Sequence, residues 1–240
     1  MEERIRKRKI VLVGTGFVGM SFAYSLLSEK GINELVLIDM NKDKAVGEQM
    51  DLSDGLPYAD SKMTIKAGEY EECGDADIVV ITAGAAQKPG QTRLELVGIN
   101  ARITKDVATQ VKNSGFKGIL VVASNPVDIM TYVAYKASGL PKEHVIGSGT
   151  ILDTARLRYN ISKRLGMAPS NVHAYILGEH GDSSFVPWIH CYLGCKNLLE
   201  YIDEEDNLTL EDLQNIYLEV RNAAYEIIDR KKATYYGIGL

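Results

Sequence analysis

The sequence predicts an α/β protein: a doubly wound parallel sheet, followed by a second, α+β part. Short runs rich in Val, Ile and Leu alternate with helical stretches through the first 147 residues, as in a parallel sheet with crossover helices. The first such run leads directly into a glycine-rich turn, and the last one ends at Gly147. Two domains are therefore expected, residues 1–147 and 148–240. A length of 240 residues with 45% apolar and 25% charged residues suits a soluble chain of that size.

Lys9 to Val13 is an apolar run followed by Gly14-Thr15-Gly16-Phe17-Val18-Gly19 and a helical pattern to about Lys30. In a strand–turn–helix unit of this kind the first glycine permits the tight turn, the second lets a pyrophosphate approach the backbone, and the third lets helix and strand pack closely. Unpaired N–H groups at the start of the helix suit the phosphates. Glu34 to Ile38 reads as a second buried strand and ends at Asp39, 20 residues beyond Gly19. A carboxylate there accepts from ribose hydroxyls and repels a 2′-phosphate, so NAD is expected rather than NADP. Further strands are expected at Met63 to Ala67, Asp77 to Thr82, Gly118 to Ala123 and His144 to Gly147, with helices over Leu94 to Asn113 and Pro126 to Ser138.

Several polar groups fall where such a sheet binds ligands. Residues 83–93 form a polar loop punctuated by Pro89-Gly90, a composition suited to a lid, and end at Arg93. Arg93 either delivers a positive charge to a developing oxyanion or simply begins a solvent-facing helix. Asn125 precedes Pro126 and either caps the next helix or reaches the substrate. Ile151 to about Leu165 reads as a helix with Asp153 and Arg156 on one face, either a local ion pair or an acid that orients an imidazole beside a carboxylate-binding guanidinium. Arg158, two positions on, points elsewhere. His180, flanked by Gly178 and Gly181 after the apolar run Asn171 to Leu177, can exchange a proton near neutral pH. A final long helix is expected to begin at Thr209, capped through Asp212, with Leu213, Ile216, Tyr217, Val220, Ala224 and Ile227 along one side.

Composition excludes other classes. A net charge of −5 argues against a nucleic-acid surface. Cys73, Cys191 and Cys195 form neither a disulfide framework nor a zinc site, so structural thiols in a reducing cytoplasm and no metal are expected. No apolar stretch is long enough to span a bilayer.

Taken in order, Gly14-Thr-Gly-Phe-Val-Gly19, Gln87-Lys-Pro-Gly-Gln-Thr-Arg93, Ser124-Asn-Pro-Val-Asp128, Asp153-Thr-Ala-Arg156 and Gly178-Glu-His-Gly-Asp182 resemble the motif series of bacterial L-lactate dehydrogenases. The resemblance runs essentially the whole length of the chain. It implies a Rossmann NAD-binding domain followed by a catalytic domain. His180 would exchange the proton, Asp153 orient it, Arg93 polarise the carbonyl and Arg156 anchor the substrate carboxylate. Gly14, Gly16, Val18, Gly19, Asp39, Gly84, Ala85 and Asn125 would line the cofactor groove, with Asn125 also reaching the substrate and Thr234 bordering its pocket. Gln87 would select pyruvate, since the related malate dehydrogenases carry an arginine there to pair with a second carboxylate. Arg158 and His173 resemble a site at which paired subunits bind fructose 1,6-bisphosphate, and a homotetramer is implied. Family members continue through additional strands and a C-terminal helix, so the catalytic domain is expected to be incomplete, with apolar faces exposed and altered association. A malate or bulkier 2-hydroxyacid dehydrogenase and a catalytically impaired NAD-binding fragment are the alternative readings.

Overall fold

The computed structural model describes residues 8–85, 93–202 and 208–240, which form two compact units, residues 1–148 with 235–240 and residues 149–234. In the first unit six parallel strands, β1 (Lys9–Val13), β2 (Glu34–Ile38), β3 (Thr64–Ala67), β4 (Ile78–Ile81), β5 (Ile119–Val122) and β6 (Val145–Gly147), lie in the order β3-β2-β1-β4-β5-β6. The order reverses between β1 and β4, which opens a crevice at the carboxyl ends of those two strands.

The strands read as continuous apolar runs because both sheet faces are covered. Val11, Val13, Val36, Ile38, Val79 and Ile81 face a layer built from α3 (Arg93–Asn113) and α4 (Val127–Ser138), through Val107, Val111, Met130 and Ala134. Ile10, Leu12, Leu35, Leu37 and Val80 alternate to the other face and meet Ala23 of α1 (Phe17–Ser25) and Leu52 of α2 (Lys42–Gly55). Fully burying each such aliphatic side chain contributes about 1.5–3 kcal/mol.

Two expected helix boundaries shift. α1 ends at Ser25, whose hydroxyl turns back to the Phe22 carbonyl, and a 3₁₀ turn over Leu26–Ser28 replaces the expected continuation to Lys30. α4 begins at Val127: extended Pro126 (φ −70°, ψ 121°) occupies the cap position and no side chain caps the helix, so Asn125 is not its cap.

In the second unit α5 (Ile151–Leu165) and α6 (Leu210–Lys231) pack together over a core of Leu157, Ile161, Val172, Ile176, Leu213, Ile216 and Val220. The expected capping box is present, Thr209 and Asp212 each bonding the other's main-chain N–H. The helix stripe is buried only along its first half, and Ala224 and Ile227 are half-exposed. The apolar run at 171–177 alternates buried and exposed, yet only β7 (Val172–His173) pairs as a strand, because its partner β8 (Tyr192–Leu193) is two residues long before the chain turns at Gly194 into β9 (Lys196–Asn197). The last six residues pack with the first unit: Tyr235 stacks on Phe17 at 5.0 Å, and α7 (Tyr236–Gly239) lies against α1.

Candidate active site

The carboxyl edge of the first unit's sheet carries the glycine-rich turn. Gly14 adopts φ +107°, and its N–H donates to the Ile38 carbonyl at 2.8 Å, which ties the turn to the end of β2. A β-carbon on Gly14 would lie 2.6 Å from the Ala83 nitrogen, and one on Gly19 only 2.1 Å from the Gly14 oxygen. At Gly16, the cap residue of α1, a β-carbon would meet nothing within 4 Å. The turn is thus closed on its inner side and bare on its outer side, the shape a pyrophosphate requires at a helix N-terminus.

Asp39 follows β2 and is held from two directions. Its Oδ2 accepts from the Thr15 N–H at 2.8 Å and the Thr15 hydroxyl at 2.9 Å, and its Oδ1 from the Asn41 N–H at 2.9 Å. Burial pushes this carboxyl up, but these hydrogen bonds and the nearby Lys44 ammonium outweigh it and hold the group below the usual carboxylate range. Asp39 is therefore ionised at neutral pH. Lys44, which motif reading did not single out, donates to the Thr15 carbonyl and so joins the first turn of α2 to the glycine turn.

Three more of the expected cofactor positions lie at this edge. Val18 is half-buried in the first turn of α1, and Gly84 and Ala85 follow β4. Asn125 follows β5 with its side chain exposed and its carbonyl accepting from Asn100 Nδ2 at 2.9 Å. Asn100 Oδ1 accepts from the Ala85 N–H at 2.8 Å, and the Ser124 hydroxyl donates to the Ala83 carbonyl at 2.7 Å. Residues 86–92 of the expected lid, Gln87 among them, lie outside the described residues; Arg93 is the first residue of α3.

In the second unit Asp153, His180 and Arg156 form one cluster. His180 Nδ1 donates to Asp153 Oδ2 at 2.5 Å, and Arg156 Nη1 donates to Asp153 Oδ1 at 3.1 Å. All three are partly or largely buried; Asp153 is 8% exposed, so little water competes for its oxygens. Asp153 is thus ion-paired within its helix and also hydrogen-bonded to the imidazole.

Main-chain anchoring explains how residues 27 apart in sequence meet. Thr150, the cap residue of α5, and Thr154, one turn on, bracket Ile176: the Thr150 hydroxyl donates to its carbonyl at 2.6 Å, and its N–H donates to Thr154 Oγ1 at 2.9 Å. Leu177 and Phe185 then exchange main-chain hydrogen bonds, which closes the loop bearing His180, and Gly178 at φ +96° permits the turn. α6 supports this loop through Tyr217, whose hydroxyl donates to the Ser184 carbonyl. Arg158 points away from the cluster, donating from Nε to the Ala174 carbonyl at 3.0 Å and lying over the Tyr175 ring at 4.8 Å, beside exposed His173. Thr234 is half-buried beyond the end of α6. Among the described residues, no group of three or more His, Cys, Asp or Glu is placed to hold a metal, and no helix is long and apolar enough to cross a membrane.

Known proteins resemble this chain along almost its whole length. Residues 8–147 match the family described as lactate/malate dehydrogenase, NAD binding domain, and residues 150–240 match its alpha/beta C-terminal domain. An L-lactate dehydrogenase of Lactococcus lactis subsp. cremoris (strain NZ9000) is 54% identical over 99% of this chain and 76% of its own length. L-lactate dehydrogenase 2 of Enterococcus faecalis is also 54% identical, over 99% of this chain and 75% of that protein. Among solved structures, the lactate dehydrogenase MGS-M5 from a Medee basin deep-sea metagenome library superposes with a TM-score of 0.95 at 58% identity, covering 98% of this chain and 75% of that one. The minor L-lactate dehydrogenase of Enterococcus mundtii in its ligands-bound form gives 0.95 at 54% identity, covering 98% and 74%. With both of its units matched and a glycine turn shaped for a dinucleotide, the chain is an NAD-dependent oxidoreductase and belongs to the lactate/malate dehydrogenase family.

Proposed function

We propose that this chain catalyses the reversible reduction of pyruvate to L-lactate. The observation that carries the proposal is the His180–Asp153–Arg156 cluster, a proton-exchanging imidazole fixed by a buried acid next to a carboxylate-binding guanidinium. NAD, when bound, supplies or accepts the hydride; Gly14, Gly16, Val18, Gly19, Asp39, Gly84, Ala85 and Asn125 are its proposed contacts. The bond to Asp153 fixes the ring through Nδ1 and assigns proton exchange with the substrate oxygen to Nε2. Arg156 gives one N–H to Asp153, and a guanidinium has five, enough to take a substrate carboxylate as well. Arg93 is assigned to the developing oxyanion, and Asn125 and Thr234 to the border of the substrate pocket.

Gln87 is assigned to substrate choice, since a neutral amide offers no partner to the second carboxylate of oxaloacetate. Steady-state NADH oxidation with each keto acid tests this. The unaltered chain is expected to prefer pyruvate, and Gln87→Arg to shift the kcat/KM ratio toward oxaloacetate; an unchanged ratio refutes the assignment, and no pyruvate-dependent oxidation refutes the reaction.

Arg158 and His173 are assigned to a fructose 1,6-bisphosphate site shared between subunits of a homotetramer. The support is their adjacency, Arg158 being anchored to the carbonyl next to His173. The sugar bisphosphate is expected to lower the apparent KM for pyruvate and to favour the tetramer in sedimentation. Neither effect should survive Arg158→Gln, and a titration that changes nothing in the unaltered chain removes the assignment.

A further inference from the structure

Asn100 is 4% exposed in α3 and spends both ends of its amide on loops rather than on its own helix. Oδ1 accepts from the Ala85 N–H at 2.8 Å and Nδ2 donates to the Asn125 carbonyl at 2.9 Å. Ala85 follows β4 and Asn125 follows β5, and these strands are hydrogen-bonded neighbours. One side chain therefore staples together two adjacent loops at the ligand-binding edge of the sheet. The requirement is specific: one main-chain donor and one main-chain acceptor must be met at once. A carboxylate offers only acceptors, a leucine neither, and a serine is too short to span both.

We propose that Asn100 is a positioning residue for the cofactor groove, setting the separation of the Ala85 and Asn125 loops and through it the fit of NAD. The inference rests on the cofactor assignments above. A polar side chain buried in mid-helix is costly unless its bonds are made, and here both go to loops assigned to the groove. Without the staple, the loops must be brought back to register each time the cofactor binds, so the loss falls on binding.

Two substitutions and a control test it. Asn100→Asp keeps the shape and the acceptor for Ala85 but sets a carboxylate oxygen against the Asn125 carbonyl; Asn100→Leu removes both bonds. Thr104→Val, one turn along the same helix, removes the buried hydroxyl contact to Met130 Sδ at 3.3 Å and touches neither loop. NADH fluorescence titration is expected to give dissociation constants about tenfold weaker for both Asn100 variants, the effect of one buried hydrogen bond left unmade. KM for pyruvate should rise with it and kcat fall less, while Thr104→Val stays within about twofold of the parent at matched loss of urea midpoint.

A pH series separates positioning from bulk stability. A buried aspartic acid binds its proton more readily than an exposed one and then regains a donor, so Asn100→Asp should recover NADH affinity toward about pH 5 while Asn100→Leu does not. Wild-type affinity in both Asn100 variants, equal weakening by Thr104→Val, or no recovery of Asn100→Asp overturns the proposal. Should the variants fold poorly, amide hydrogen exchange on the unaltered chain decides: a slowly exchanging Ala85 N–H supports the staple and a fast one refutes it. NADH titration does not need turnover, so binding that follows this pattern without pyruvate reduction refutes the proposed reaction and leaves the staple standing.

Discussion

The two sets of functional residues are held in different ways. In the first unit the ligand edge is a main-chain construction: Gly14 at φ +107°, the Gly19 backbone against the Gly14 oxygen, and the Gly14 N–H tied to the Ile38 carbonyl. In the second, the chemistry sits on side chains held by other side chains, His180 on Asp153 and Asp153 on Arg156. A main-chain site fails when its backbone is displaced, and a side-chain site fails when one group loses its chemistry while the fold persists. The two units should therefore break differently.

The largest effect is expected at His180. His180→Gln keeps a polar side chain but removes the proton exchange, and kcat for pyruvate reduction should fall about 10³-fold, the usual contribution of a positioned general acid. NADH affinity and urea midpoint should change little, because the glycine turn contributes nothing to this cluster's chemistry. Asp153→Asn should fall short of that loss in kcat, since the ring keeps a hydrogen-bond partner but loses the carboxylate that fixes it. A variant of either residue that loses NADH binding in proportion to kcat would erase the contrast between the units.

Gly19→Ala should behave in the opposite sense. The added carbon would sit 2.1 Å from the Gly14 oxygen and 2.7 Å from Thr82 Oγ1, and only the second can turn aside. Helix α1 must move, at a cost of about 3 kcal/mol in stability, and the dissociation constant for NADH should weaken with it. Urea denaturation beside fluorescence titration reads both; unchanged affinity would mean that the turn does not carry the cofactor. Gly16→Ala, with open space around the new carbon, should spare stability and weaken binding alone.

The same contrast governs what could be read from the residues beforehand. The succession of strands and helices along the first unit, the glycine turn and the position of Asp39 after a strand were legible because they rest on periodicity and on short, fixed spacing. Pairing of His180 with Asp153 was reached only through resemblance to a family, since nothing local announces a contact across 27 residues. It depends on Thr150 and Thr154 gripping the Ile176 main chain, and threonines in the first turns of a helix carry no such signal. Asn100 and Lys44 were passed over for the same reason: each looks like an ordinary polar residue of a helix until the loops it reaches are in place. Asn125 misled because an Asn-Pro pair before a helix reads as a cap, whereas an extended Pro126 took that position.

The smallest predicted effect lies at the opposite, amino edge of the first unit's sheet, where side chains replace the main chain as the fastening. Buried Lys9 donates to Glu72 at 2.7 Å and to Asp75 at 2.6 Å, and Lys66 bridges Glu34 and Glu72 at 2.7 and 3.0 Å. The hydrogen bond from Lys9, the largest influence on both, holds Glu72 and Asp75 below the usual carboxylate range. A depressed carboxyl stabilises the fold above its ordinary value and loses that contribution as pH falls through its folded value, so this edge should weaken in acid, below about pH 4. Burial pushes Lys9 down, but Asp75 and Glu72 outweigh it and hold the ammonium above its ordinary 10.5. Its share is complete below that value and is lost only in strong alkali, so it does not shape the acid limb. Glu72→Gln should therefore flatten the acid limb of the unfolding free energy in urea by about 1 kcal/mol or less, since the Glu72 side chain is 31% exposed and Asp75 80%. NADH affinity at neutral pH should not change, because the cluster is at the amino ends of the strands and the glycine turn at their carboxyl ends; an altered affinity would show that the two edges of the sheet are not independent.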